Sequence, residues 1–185
     1  TLGTLIALVI ALPVAFLAAR NTTPSVAFLR PLALVVIVAS RSVNALIWAL
    51  LLVTILGPGL LAGVIAIALR SIGFVGKLLY EAIEEIDPQQ VEAVRATGAG
   101  PVQVLDYAIM PQVLPAFAGI SVYRWDINIR DSTVLGLVGA GGIGLQLKAS
   151  VDTLAWPQVT LIFIVILATV LVSEWISAEA RKRLI

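Results

Sequence analysis

Apolar residues run through this chain in five long stretches, separated by short polar breaks. The stretches lie near residues 1–19, 31–56, 60–79, 111–130 with an irregular continuation to about 138, and 156–178. Each is long enough, or nearly so, to cross a hydrocarbon core of ~30 Å as about 20 helical residues. The breaks are Asn21-Thr22-Thr23-Pro24, Gly57-Pro58-Gly59, a long acidic loop, and the glycine cluster from Gly139 to Gly144. Pro13 sits inside the first stretch, where a kink is expected and membrane helices tolerate it. The pattern predicts an all-α polytopic membrane protein of about five transmembrane helices, with residues 1–185 forming one transmembrane domain.

The one long polar interruption runs from Glu81 to Pro111 and gathers Glu81, Glu84, Glu85, Asp87 and Glu92. Only 12% of the chain is charged, about half the roughly 25% of soluble proteins, so such a cluster must sit in water. Asp87 suits the cap of a short helix, Pro88 its first position, and Gln90 the place of a capping-box partner. Gly98 should end that helix, because glycine alone takes the left-handed conformation without a Cβ penalty. Gly100 and Pro101 restart the chain, and Val102, Leu105 and Ile109 follow at helical spacing on one face. The residues by themselves leave a solvated loop and a docking knuckle equally open.

Composition narrows the chemistry. The chain is 60% hydrophobic with a net charge of +1, and it has no cysteine and no histidine. Thiol chemistry, zinc sites of the usual kinds and imidazole acid–base catalysis are thereby excluded, and no catalytic or metal-binding residue is assigned. The only polybasic run is Arg181-Lys182-Arg183, which gives no sign of nucleic-acid binding. Arg20 and Arg30 flank the first loop, and Lys77 and Arg95 bracket the acidic loop, whereas the 57–59 turn carries no base. The positive-inside rule then puts the acidic loop and the C-terminal end in the cytoplasm and Thr1 outside. The chain opens inside an apolar run without an initiator Met, so sequence is expected to precede Thr1.

Charges inside the apolar stretches are the informative ones. Arg41, Arg70, Arg124 and Arg130 all fall there, opposed by only Asp126 and Asp131. At mid-membrane each arginine costs roughly 3 kcal/mol, so something must compensate them. Asp126 and Arg130 can pair at a spacing of four, while Arg124, Asn128 and Asp131 share the opposite face. Arg41, Asn44 and Trp48 fall on one face of the second stretch by the same arithmetic. The surplus is positive and rich in amide donors. Either the arginines snorkel or pair structurally, or Arg41, Asn44, Arg70, Arg124, Asn128 and Arg130 line a path for a negatively charged solute.

Two motifs mislead. Gly139-Ala140-Gly141-Gly142-Ile143-Gly144 fits the dinucleotide fingerprint, but no βαβ pattern surrounds it and Asp152 is too close to be the ribose-binding acid. Small residues there suit tight packing or a re-entrant bend near the outer face. Gly73-Phe74-Val75-Gly76-Lys77 lacks the spacing and the hydroxyl of a phosphate-binding loop. If ATP drives this protein, another subunit binds it.

The segment E-A-V-R-A-T-G, nine residues, then A-I-M-P resembles the E-A-A loop of ATP-binding-cassette importer permeases. Glu92, Ala93, Gly98, Ile109 and Pro111 stand in register; Val94, Ala108 and Met110 are mild apolar departures. The resemblance implies that 81–111 is a coupling loop, with Asp87, Glu92, Ala93, Arg95, Gly98 and Ala99 seated against an ATPase. R-S-V-N-A-L-I-W-A-L-L at 41–51, L-A-G-V-I-A-I-A-L-R-S-I-G-F-V-G-K at 61–77 and Y-R-W-D-I-N-I-R-D-S-T-V-L-G-L-V-G-A-G-G-I-G at 123–144 look like the phosphonate branch of the methionine-type permease fold. That branch implies a homodimer in the bacterial inner membrane, two cytoplasmic ATPase subunits carrying ATP and Mg, and an extracytoplasmic binding protein. It also implies import of phosphonate, phosphite or a phosphate ester by alternating access. The family commonly has one more N-terminal span than appears here. Two rivals use the same residues: an ATP-independent anion channel or carrier, and an intramembrane transferase with Asp126 or Asp131 as base.

Overall fold

The computed structural model describes residues 1–184, and side chains through Lys182. Arg183, of the basic run, lies outside the described side chains. The elements are α1 (Leu2–Ala18), α2 (Leu29–Ser42), α3 (Ala45–Leu56), α4 (Leu60–Glu84), α5 (Pro88–Ala96), α6 (Pro101–Val104), a π-helical turn (Leu105–Ile109), α7 (Met110–Leu137), α8 (Ile143–Asp152) and α9 (Trp156–Leu184). Among the described residues no strand occurs.

α4 is the axis: α1, α2, α3 and α7 all pack on it. Small residues make this possible, because helices in lipid associate by close backbone approach rather than by a hydrophobic drive. α4 buries Ala62, Gly63, Ala66, Ser71, Gly73 and Gly76. α1 answers with Gly3, Ala7, Ala11 and Ala15, spaced by four and all buried. A Cβ on Gly73 would stand 2.6 Å from the Ile37 carbonyl oxygen of α2, which excludes any larger residue there.

The stretch expected as one span over 31–56 is two helices. α2 ends at Ser42, Val43 is extended, and Asn44 caps α3 by accepting from the Leu46 N–H at 3.1 Å. The helices meet at 88°. Continuity of apolar character hid a local competition, in which an asparagine next to a β-branched residue favours a cap over helix propagation. Arg41, Asn44 and Trp48 consequently do not share one helix face, contrary to the periodicity.

By length and composition, α4, the run from Pro101 to Leu137, and α9 can each cross a membrane; the bent pair α2–α3 makes a fourth where its two helices count as one broken span. α1, at 17 residues, is shorter, and both it and α7 continue through their prolines, Pro13 and Pro115. At the glycine cluster, Gly139, Gly141 and Gly142 take φ of 90°, 79° and 76°, reversing the chain. The reversal admits tight packing, as expected, yet it also starts α8, a helix outside the five expected stretches. Gly144 packs so closely that a Cβ would collide with the Thr133 carbonyl.

Hydrogen bonds fix which loops share an end. The Gly59 N–H donates to the Gly139 carbonyl (3.0 Å), joining the 57–59 turn to the glycine cluster. The Arg20 N–H donates to Glu84 (2.9 Å), joining the first loop to the acidic one at the opposite end. Both pairings agree with the distribution of basic residues.

Candidate functional site

The acidic loop folds as a knuckle. Asp87 is extended, accepts from the Gln89 N–H at 2.9 Å, and Pro88 takes the first helical position of α5. Gln90 is not a capping-box partner. It donates to the Asp87 carboxylate at 3.4 Å, while the Asp87 backbone N–H is taken by Gln112 of α7 at 2.9 Å. The entry to the knuckle is therefore clamped by a transmembrane helix. At its exit Gly98 has φ 83°, and Gln103 closes the next helix start by accepting from the Gly100 N–H at 2.9 Å.

α5 buries only Val91 and turns Glu92, Ala93 and Arg95 outward. Asp87 and Gly98 are exposed as well, and Ala99 is half-buried. Beneath them Val91, Val104, Ala108, Ile109 and Val113 join Ala15 and Ala19 of the first helix region and Leu79 and Ile83 of α4 in one apolar cluster. The expected face of Val102, Leu105 and Ile109 does not form: Val102 is 77% exposed, and Val104, Ala108 and Ile109 point inward. The π turn at 105–109 widens the helix by one residue per turn and so rotates the inward face off the 3.6-residue arithmetic. A cleft of about 550 Å³ beside the knuckle is lined by Asn21, Thr22, Arg95 and Ala99, and a neighbouring one of about 350 Å³ by Glu84, Glu92 and Arg95. The knuckle is thus a solvated projection whose apolar underside is rooted in α1, α4 and α7.

The interior charges divide into three groups. In the first, Arg124, 2% exposed, donates from Nε to Ser71 Oγ at 3.0 Å and stacks over Phe74 with its carbon 5.0 Å from the ring centre. Asn128 donates to Ser71 and to Thr4 of α1 at 3.0 and 2.9 Å. Arg124 Nη2 has only Asp131, at 4.0 Å, and no hydrogen bond. In the second group Arg130 pairs with Asp126 at 2.5 Å, and Asp126 accepts from Ser173 of α9 at 3.0 Å. The third lies at the helix break: Arg70 reaches the Val43 carbonyl at 3.4 Å, and Arg41 and Asn44, exposed, flank that residue.

The structure thus brings Arg124 with Asn128, and Arg70 with the break between Arg41 and Asn44, but leaves Arg130 apart from both, between Asp126 and, at 3.9 Å, Glu174 of α9. Ser71, Thr4 and Ser173, which complete these groups, were missed because single hydroxyls are too frequent in apolar helices to stand out. Asp126→Asn should keep the Ser173 bond and lose the ion pair. The expected cost is roughly 1–2 kcal/mol, as Arg130 is half exposed. Thermal unfolding in detergent would register it as a modest drop in midpoint with α9 still docked.

Comparison with known proteins places this geometry. The chain is 48% identical over 180 residues to the phosphite transport system permease protein PtxC of Stutzerimonas stutzeri, covering 97% of this chain and 65% of that one. It is 45% identical over 184 residues to the phosphate-import permease protein PhnE of Mycolicibacterium smegmatis, covering 100% of this chain and 34% of that one. The chain therefore spans between a third and just under two thirds of the length of these relatives. In fold it superposes on the inward-facing methionine transporter MetNI with a TM-score of 0.79 at 21% identity, over 99% of this chain and 89% of that one. Residues 11–178 match the family described as the inner membrane component of binding-protein-dependent transport systems, and with the match running through every element from α1 to α9 the chain belongs to that family.

Proposed function

We propose that this chain is the permease of an ATP-binding-cassette importer and eases a phosphorus oxyanion, such as phosphonate or phosphite, into the cytoplasm by alternating access. The observation that carries the reading is the knuckle, which exposes Asp87, Glu92, Ala93, Arg95 and Gly98 while its apolar underside grips α4 and α7. In this reading residues 1–185 act as a single permease domain and 81–111 as its coupling loop. Two copies work with two cytoplasmic ATPase subunits, which hold ATP and Mg, and with an extracytoplasmic binding protein. Closure of the ATPases draws the knuckles together and rocks the helices rooted in them.

The substrate class rests on two supports: the phosphite and phosphate named for the relatives, and the sign of the interior charge. Arg41, Asn44 and Arg70 gather where the chain breaks, and the N-terminus of α3 adds partial positive charge there. Arg124 keeps a guanidinium nitrogen without a hydrogen bond beside Asn128, and Arg130 keeps about half its side chain open. Such donors suit an oxyanion held loosely enough to leave, with chemical selectivity left to the binding protein.

Single replacement of Arg41, Arg70 and Arg130 by Gln tests the path. Loss of one charge-assisted contact should lower phosphite or phosphonate uptake roughly tenfold at unchanged membrane abundance. Normal uptake in all three variants would make them structural pairs.

A further inference from the structure

The first connecting loop is tied to the last turn of α4, three residues before the knuckle's cap. The Arg20 backbone N–H donates to Glu84 Oε1 at 2.9 Å, and the Arg30 guanidinium lies 3.7 Å from the same oxygen. Asn21 donates from Nδ2 to the Ile83 carbonyl at 2.5 Å. Arg30 also donates from Nε to the Ala18 carbonyl at 3.1 Å, closing a ring through the end of α1, the start of α2 and the end of α4.

Packing does not require this ring. Ala15 and Ala19 already sit against Leu79 and Ile83 below it. Moreover, an acid in the last turn of a helix opposes the macrodipole, so Glu84 needs compensating donors, and the first loop and the start of α2 supply one each. α2 already packs on α4 through Ala33, Leu34 and Ile37 beside Tyr80, and the Arg30–Glu84 pair adds a polar tie at the start of α2, next to the knuckle's root.

We propose that Glu84 is a positioning residue, a latch that makes the first loop, and with it the ends of α1 and α2, move as one body with the knuckle. The inference rests on the coupling role proposed above. Motion delivered at α5 would reach α4 and α7 through apolar contact, and this carboxylate would carry it to the first loop and to the start of α2, which also packs on α4.

The test uses the whole importer, permease with its ATPase and binding protein, in proteoliposomes, and reads solute transported per ATP hydrolysed. Glu84→Gln and Glu84→Ala should lower that ratio by roughly threefold to tenfold at unchanged abundance, leaving ATP hydrolysis running. Because the chain has no cysteine, Arg20→Cys with Glu84→Cys gives a clean pair for a short thiol cross-linker. The double variant should be uncoupled when open and regain its ratio when linked. A wild-type ratio in the Glu84 variants, or no recovery on linking, would overturn the latch. If Gly98→Val uncouples while the Glu84 variants do not, the latch fails alone; if neither uncouples, the coupling role fails with it.

Discussion

Gly98→Val should abolish coupled transport while leaving the permease folded in the membrane. Gly98 has φ 83°, and nothing lies within 4 Å of where a Cβ would stand, so the added side chain meets open space. The whole penalty is conformational. A left-handed backbone costs an L-residue about 1–2 kcal/mol, and a β-branched residue more. The loop relieves that strain most cheaply by leaving the left-handed region, which re-aims α5 relative to the cluster beneath it. The transmembrane helices lose no contact. Uptake should therefore fall by more than roughly tenfold, with abundance near normal and ATP hydrolysis no longer answering to substrate. Gly98→Asn, which tolerates the left-handed region, should retain most of the transport.

Arg124→Ala is expected to act on the fold. Removing one partner of a buried charged pair costs roughly 3–5 kcal/mol, and the lower end applies here because Asp131 keeps 33% of its side chain exposed. The loss also strips Ser71 of its guanidinium donor and opens a void over Phe74, in the place where α1, α4 and α7 are pinned together. Membrane abundance and the melting midpoint in detergent should both drop sharply. Arg124→Lys should recover only part, since an ammonium cannot reach Ser71 and face Asp131 with separate nitrogens.

How much of this was legible in the sequence varied with the physics of each element. The knuckle was read well, because caps and glycine stops are local chemistry: Asp87, Pro88 and Gly98 each do what their covalent structure dictates. Pairing on α7 was legible too, since Asp126 with Arg130, and Arg124 with Asp131, follow from helical spacing. The helix break at Val43–Asn44 was not, because a hydropathy window averages over the asparagine that makes it. The π turn escaped for a related reason: one extra residue in a turn leaves composition unchanged and rotates every later side chain. The Asp87 clamp by Gln112 and the Glu84 latch join residues distant in the chain, and periodicity does not reach across a fold.

If force enters through the knuckle from a separate ATPase and moves an oxyanion across, uptake of labelled phosphite or phosphonate into proteoliposomes must differ between vesicles with the ATPase subunit and vesicles without it. Uptake that requires the ATPase, ATP and the binding protein, and is lost on omission of any one, is the expected result. Undiminished uptake by the permease alone, driven only by the solute gradient, would contradict it and make the chain a passive anion pathway.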